Sequence, residues 1–215
     1  MLPQNRGRGR AATLGPAGAS RRRVLLAAAG LGLGLALAAC GTSEPPFALS
    51  NVGGLLPKLQ FDLTDQDDHA VSAQDYRGKI VLLYFGYTNC PDACPTTLTT
   101  LAAVMHRLGP DAAKVRVLFV TVDPQRDTSA VLKRYVGFFG TQFVGLRGDD
   151  RVLTALTKRY RVAYHREAPD SHGYYAVDHS SAVFIFDAQG RSRLLAREGD
   201  SAQIIAHDLR LLIES

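Results

Sequence analysis

Two apolar runs constrain this chain more than any other feature. Ile80–Phe85 (Ile-Val-Leu-Leu-Tyr-Phe) is continuous, and Val115–Val122 is broken only by Arg116 and Thr121. Short apolar runs without alternation read as strands covered on both faces. Between them, Thr96–Leu108 places Leu98, Leu101, Ala102, Met105 and Leu108 on one helical face, and Gly109-Pro110 ends that helix. Two buried strands joined by a helix make a strand–helix–strand crossover.

The remaining pattern extends this unit. Thr128–Phe139 reads as a helix behind an Asp127 cap, followed by a short strand at Phe143–Leu146 and a helix over Asp150–Tyr160. Ala182–Phe186 and Arg193–Arg197 form a hairpin across Ala188-Gln189-Gly190. Ser201 caps a last helix that carries Ile205, Leu209 and Leu212. At the other end, Lys58–Leu63 and His69–Ser72 flank a turn-rich patch and predict an N-terminal hairpin extension. The expected class is α/β, a thioredoxin-like fold with a mixed central sheet flanked by helices. Its body runs from residue 53 to 215 as one domain.

The net charge of +5 and the sequence pI near 9.3 invite a nucleic-acid reading. The distribution of charge removes that reading. Residues 1–39 hold six arginines and no Lys, Asp or Glu, followed within that stretch by the apolar run Val24–Ala39. Sixteen residues rise only about 24 Å as a helix, short of the ~30 Å hydrocarbon core. A basic segment, a short apolar segment and small residues describe an export signal. Ser20-Arg21-Arg22-Arg23 also resembles a twin-arginine signal. Leu37-Ala38-Ala39-Cys40 looks like a bacterial lipobox, in which cleavage precedes a lipid-bearing cysteine. Residues 40–52 then form a lipidated tether to a cell membrane, on its periplasmic or extracytoplasmic side. Cleavage before Cys40 leaves 19 basic and 20 acidic residues, a net charge of −1. No nucleic-acid motif is present.

Assigning Cys40 to a lipid leaves one pair of thiols, Cys90 and Cys94, in Gly86-Tyr87-Thr88-Asn89-Cys90-Pro91-Asp92-Ala93-Cys94-Pro95. This segment joins the first buried strand to its helix, and Pro95 suits a first helical turn. Both sulfurs are expected at a helix N-terminus, where the dipole and free amides favour thiolate. A spacing of four allows a disulfide or a shared soft metal ion. A bond closing so short a loop adds little chain-entropy stabilisation, which argues for redox or metal chemistry over a static disulfide.

His179, in Asp178-His179-Ser180-Ser181, is expected in the loop entering strand Ala182–Phe186, beside the cysteine turn in this topology. His69, His106, His165, His172 and His207 have no such partner motif. Two thiolates and an imidazole form a ligand set that copper accepts in both oxidation states. A structural zinc site normally has a fourth protein ligand.

Gly86–Pro95, Thr121-Val122-Asp123-Pro124-Gln125-Arg126-Asp127-Thr128 and Val177-Asp178-His179-Ser180 together resemble the Sco (SenC) family of copper-binding assembly proteins. The resemblance covers residues 53–213. It implies that Cys90 and Cys94 ligate Cu(I), that His179 completes the Cu(I) and Cu(II) sites, and that Asp123 is an outer-sphere group near the metal. It also implies copper delivery to the copper A site of cytochrome c oxidase, with a copper donor and a thiol reductant as further partners. Asn89 departs from the family pattern, where His more often precedes the first cysteine.

Two other classes share the broad fold. One is a thiol–disulfide oxidoreductase cycling Cys90 and Cys94, and the other is a peroxiredoxin-like peroxidase. The chain lacks Trp, has three residues between its thiols and has no Pro after Pro169. Those features depart from an ordinary thioredoxin and favour the metal reading.

Overall fold

The computed structural model describes residues 47–171 and 174–215. The export signal, the lipobox with Cys40, most of the tether and His172 lie outside the described residues. In chain order the strands are β1 (Ser50–Asn51), β2 (Asp62–Asp65), β3 (Ala70–Ser72), β4 (Ile80–Gly86), β5 (Val115–Thr121) and β6 (Phe143–Arg147). Then come β7 (Tyr164–Arg166), β8 (Val177–His179), β9 (Val183–Phe186) and β10 (Ser192–Ala196). The helices are α1 (Ala93–Leu108), α2 (Ser129–Gly137), α3 (Asp150–Arg159) and α4 (Ala202–Glu214).

The two apolar runs form the centre. β4 pairs in parallel with β5 from Ile80↔Val115 to Gly86↔Thr121, and β5 pairs in parallel with β6. β9 closes the other side of β4 in antiparallel register. The full sheet has the order β1-β10-β9-β4-β5-β6-β2-β3, so the expected N-terminal hairpin adds to the far edge beside β6.

Alternation along β4 sorts the two layers. Tyr84 and Phe119 face α1 and α2, where Tyr135 packs on Phe119 and Leu132 fills the space over Gly145. Phe85 points the other way, into a cluster with Phe184 and Tyr160, the latter just past the end of α3. The Tyr160 hydroxyl donates to the Lys58 carbonyl and accepts from the Gln60 amide, pinning the N-terminal segment across the sheet.

Three local expectations change. Asp127 does not cap α2; Thr128 does, accepting from the Val131 amide. Asp178 and His179 do not lie in a loop entering β9, because they belong to β8, which pairs with β7 in a separate two-stranded ribbon. Ordered pairing also starts before Gly53. Ser50 and Asn51 pair with β10, and the amides of Ala48 and Leu49 donate to the buried Asp208 carboxylate on α4. Among the described residues, no helix is long and apolar enough to cross a membrane.

Candidate metal centre

The strands β4 and β5 end side by side, and the Val122 amide donates to the Gly86 carbonyl there at 2.8 Å. From this point two loops leave, one carrying the cysteines and one carrying Asp123-Pro124-Gln125-Arg126-Asp127. The chain turns tightly after β4, with the Cys90 amide donating to the Tyr87 carbonyl. α1 begins at Ala93, so Cys90 precedes the helix and Cys94 lies in its first turn.

The two thiols occupy different environments. Neither forms a disulfide among the described residues; Cys90 is half-buried and Cys94 is fully buried. The Cys94 amide, in the first helical turn where backbone donors lack an intrahelical acceptor, donates to the Cys90 sulfur at 3.4 Å. The Cys94 sulfur reaches inward, where only the absence of a side chain at Gly86 leaves it space. A Cβ there would stand 2.7 Å from that sulfur and 2.8 Å from the Phe119 ring.

Burial pushes the Cys94 thiol up to about 12, and the neighbouring Cys90 sulfur adds to the rise. Hydrogen bonds from the Tyr87 backbone and the Tyr84 phenol offset part of it. The expectation that the helix terminus favours thiolate at both sulfurs therefore fails at Cys94. Desolvation of the charged form outweighs the dipole when the sulfur sits inside the core.

Asp127 is a functional-loop residue that sequence reasoning took for a helix cap. Its fully buried carboxylate accepts from the Thr88 amide, the Thr88 hydroxyl and the Thr121 hydroxyl. It braces the cysteine loop from beneath. The signal was its position four residues after Asp123, within a turn where the Asp127 amide donates to the Asp123 carbonyl.

Asp123 is also fully buried and engaged on all sides. It pairs with Arg126 through one oxygen. The other oxygen accepts from the Tyr175 hydroxyl at 2.8 Å and lies 3.5 Å from the Arg166 guanidinium. Its amide donates to Thr121.

For His179 the described part is the backbone, paired with Tyr164 across the ribbon. The backbone of Val177, two residues earlier, hydrogen-bonds the Tyr87 phenol. The strand of His179 is thereby tied to the cysteine loop, with Asp123 holding the segment that leads into it. The donor chemistry is compatible with a soft metal, since two thiols with room for one sulfur inside and one at the surface can share an ion.

Comparison with known proteins bears on the family and the fold. The sequence model described as SCO1/SenC matches residues 56–214. A "SCO2-like protein" of Rickettsia felis is 36% identical over 132 residues, covering 61% of this chain and 64% of that protein. The mitochondrial "Protein SCO2 homolog" of Bos taurus is 38% identical over 152 residues, covering 70% of this chain and 57% of that protein. The match thus spans less than two thirds of the length of these curated relatives.

Among solved structures, Bradyrhizobium japonicum ScoI with copper bound is 36% identical, with a TM-score of 0.67, covering 72% of this chain and 98% of that one. Yeast Sco1 with copper bound is 29% identical, also with a TM-score of 0.67, covering 74% of this chain and 90% of that one. The thioredoxin-like α/β architecture expected from the element order is the fold these structures share with this chain. The extent of the sequence match and the common fold lead to one conclusion: the chain belongs to the SCO1/SenC family.

Proposed function

We propose that this protein is an exported, membrane-tethered copper chaperone that carries copper on Cys90, Cys94 and His179. Its recipient is the copper A site of cytochrome c oxidase. The observation that carries this reading is the tie between Tyr87 and Val177, which sets the strand of His179 beside the loop that presents the two thiols. The copper-bound relatives from Bradyrhizobium and yeast support the choice of metal. Thiolate ligands suit Cu(I), and an added imidazole extends the set to Cu(II).

The difference between the thiols suits delivery. Cys90, at the surface, is the sulfur that a donor or recipient reaches first, while Cys94 retains the ion from within. Loading releases thiol protons, so copper has to displace the proton that burial favours on Cys94. Asp123, committed to Arg126, Arg166 and Tyr175, acts beyond the ligands rather than on the metal. Cys40 carries the lipid that holds the protein on the outer side of the cell membrane, and a copper donor and a thiol reductant complete the partners.

A second reading, thiol–disulfide exchange, draws on the closeness of the Cys94 amide to the Cys90 sulfur. It is coupled to the first, since a disulfide cannot hold the metal and reduction must precede loading. The two separate in one experiment. Copper-loaded protein is mixed with a metal-free copper A domain, and the absorption of the mixed-valence copper centre is followed. Its appearance, with metal-free protein reducing a generic disulfide only slowly, supports delivery. A silent recipient together with rapid disulfide turnover supports the oxidoreductase.

A further inference from the structure

We infer that Arg126 is a positioning residue that sets the separation between the cysteine loop and the strand of His179. The inference rests on the copper reading above and concerns groups that no ligand assignment uses. The Arg126 guanidinium stacks on the Tyr175 ring at 3.6 Å, with the Tyr87 ring at 5.7 Å and the Tyr174 ring at 5.8 Å. Tyr87 belongs to the cysteine loop, and Tyr175 stands two residues before β8. One planar cation therefore contacts both halves of the candidate centre.

The same cation is fixed by Asp123, through which it reaches both strands of the ribbon. The Asp123 carboxylate takes the Tyr175 hydroxyl on the approach to β8 and lies beside Arg166, whose backbone pairs with Val177. A buried carboxylate that loses its guanidinium partner is strongly destabilised, so the three groups hold one arrangement. Four residues on, Asp127 grips Thr88 of the cysteine loop. The turn from Asp123 to Asp127 thus holds the thiol side with one carboxylate and the His179 side with the other, with Arg126 between them. Arginine is required because stacking and a directed Nε–H bond are both made by one flat group, which an ammonium cannot reproduce.

Cu(I) is satisfied mainly by the two thiolates, whereas Cu(II) gains more from an imidazole correctly placed. Residues that orient a ligand from outside the metal shell typically change affinity about ten- to hundredfold when removed. The test compares the wild-type protein with Arg126→Met, Arg126→Lys and Tyr175→Phe. Cu(II) affinity and the thiolate-to-Cu(II) absorption are measured, together with amide hydrogen exchange of the metal-free proteins. The expected result for Arg126→Met is a Cu(II) affinity lower by about ten- to hundredfold, with a smaller change for Cu(I). Its spectrum should shift toward that of His179→Ala. Exchange should quicken across Tyr164–Arg166 and Val177–His179 in the absence of metal.

Arg126→Lys keeps a charge opposite Asp123, guarding against a misfolded methionine variant, and should show the same shifts at smaller amplitude. Tyr175→Phe should weaken Cu(II) while leaving the stack. Wild-type Cu(II) affinity, spectrum and exchange in folded Arg126 variants overturn the inference and leave the copper reading standing. A wild-type protein that binds no copper overturns both.

Discussion

The backbone amide of Cys94 points at the sulfur of Cys90 across 3.4 Å. In that contact the Cys90 sulfur accepts from the first turn of α1, while the Cys94 sulfur turns the other way into the core. Two cysteines four apart in sequence thereby become an outer and an inner thiol. Their chemistry differs because water reaches one and not the other.

Alkylation should expose this difference. In the reduced, metal-free protein, iodoacetamide at neutral pH should modify Cys90 well before Cys94, and Cys94 should react readily only in denaturant. Peptide mass spectrometry reads both sites. Equal rates for the two in the folded protein would show that Cys94 is not buried.

The raised Cys94 value also has a stability consequence. Burial favours the neutral thiol, so the folded value of about 12 exceeds the reference value of 9.0. A group raised by folding contributes its full stabilisation below the unfolded value and loses it as pH climbs through the folded one. Tyr76, pushed by burial from 10.0 to about 12, acts in the same direction. Urea unfolding midpoints should hold steady to about pH 9 and fall between pH 9 and 12. Replacing Cys94 with Ala should flatten part of that fall.

Gly86 should tolerate no side chain. Gly86→Ala places a methyl carbon 2.7 Å from the Cys94 sulfur and 2.8 Å from Phe119. Overpacking of this kind costs about 1–3 kcal/mol. Denaturant titration should show that loss, and copper affinity should drop with it because the inner sulfur is displaced.

Asp127→Ala should loosen the cysteine loop. It leaves the Thr88 amide and the buried Thr121 hydroxyl without their acceptor. Each orphaned buried group costs about 1–3 kcal/mol. Hydrogen exchange at Thr88 should rise sharply while α4, on a remote part of the chain, keeps its protection.

The central strands were legible because their burial is written into six or seven neighbouring residues. The β4–α1–β5 crossover, the β9–β10 hairpin and the Ser201 cap all stand where apolar spacing and turn chemistry put them. The β7–β8 ribbon was not legible. Tyr164-His165-Arg166 and Val177-Asp178-His179 are three residues each, too short for a period, and the contacts that tie them to the body come from Asp123 and Tyr87, distant in sequence. Asp127 shows the same limit from another side. An acidic residue ahead of a helix reads as a cap, and only the fold brings Thr88 and Thr121 above it. The protonation of Cys94 was misjudged for a related reason, since the helix terminus is local in sequence and the desolvating core is not.

Copper stoichiometry tests the central claim most directly. Reduced protein is loaded anaerobically beside Cys90→Ser, Cys94→Ser and His179→Ala, and bound copper and affinity are measured after desalting. The account predicts about one tightly held copper per chain, lost in either serine variant and weakened in His179→Ala, most strongly for Cu(II). Full affinity in all three variants would contradict it.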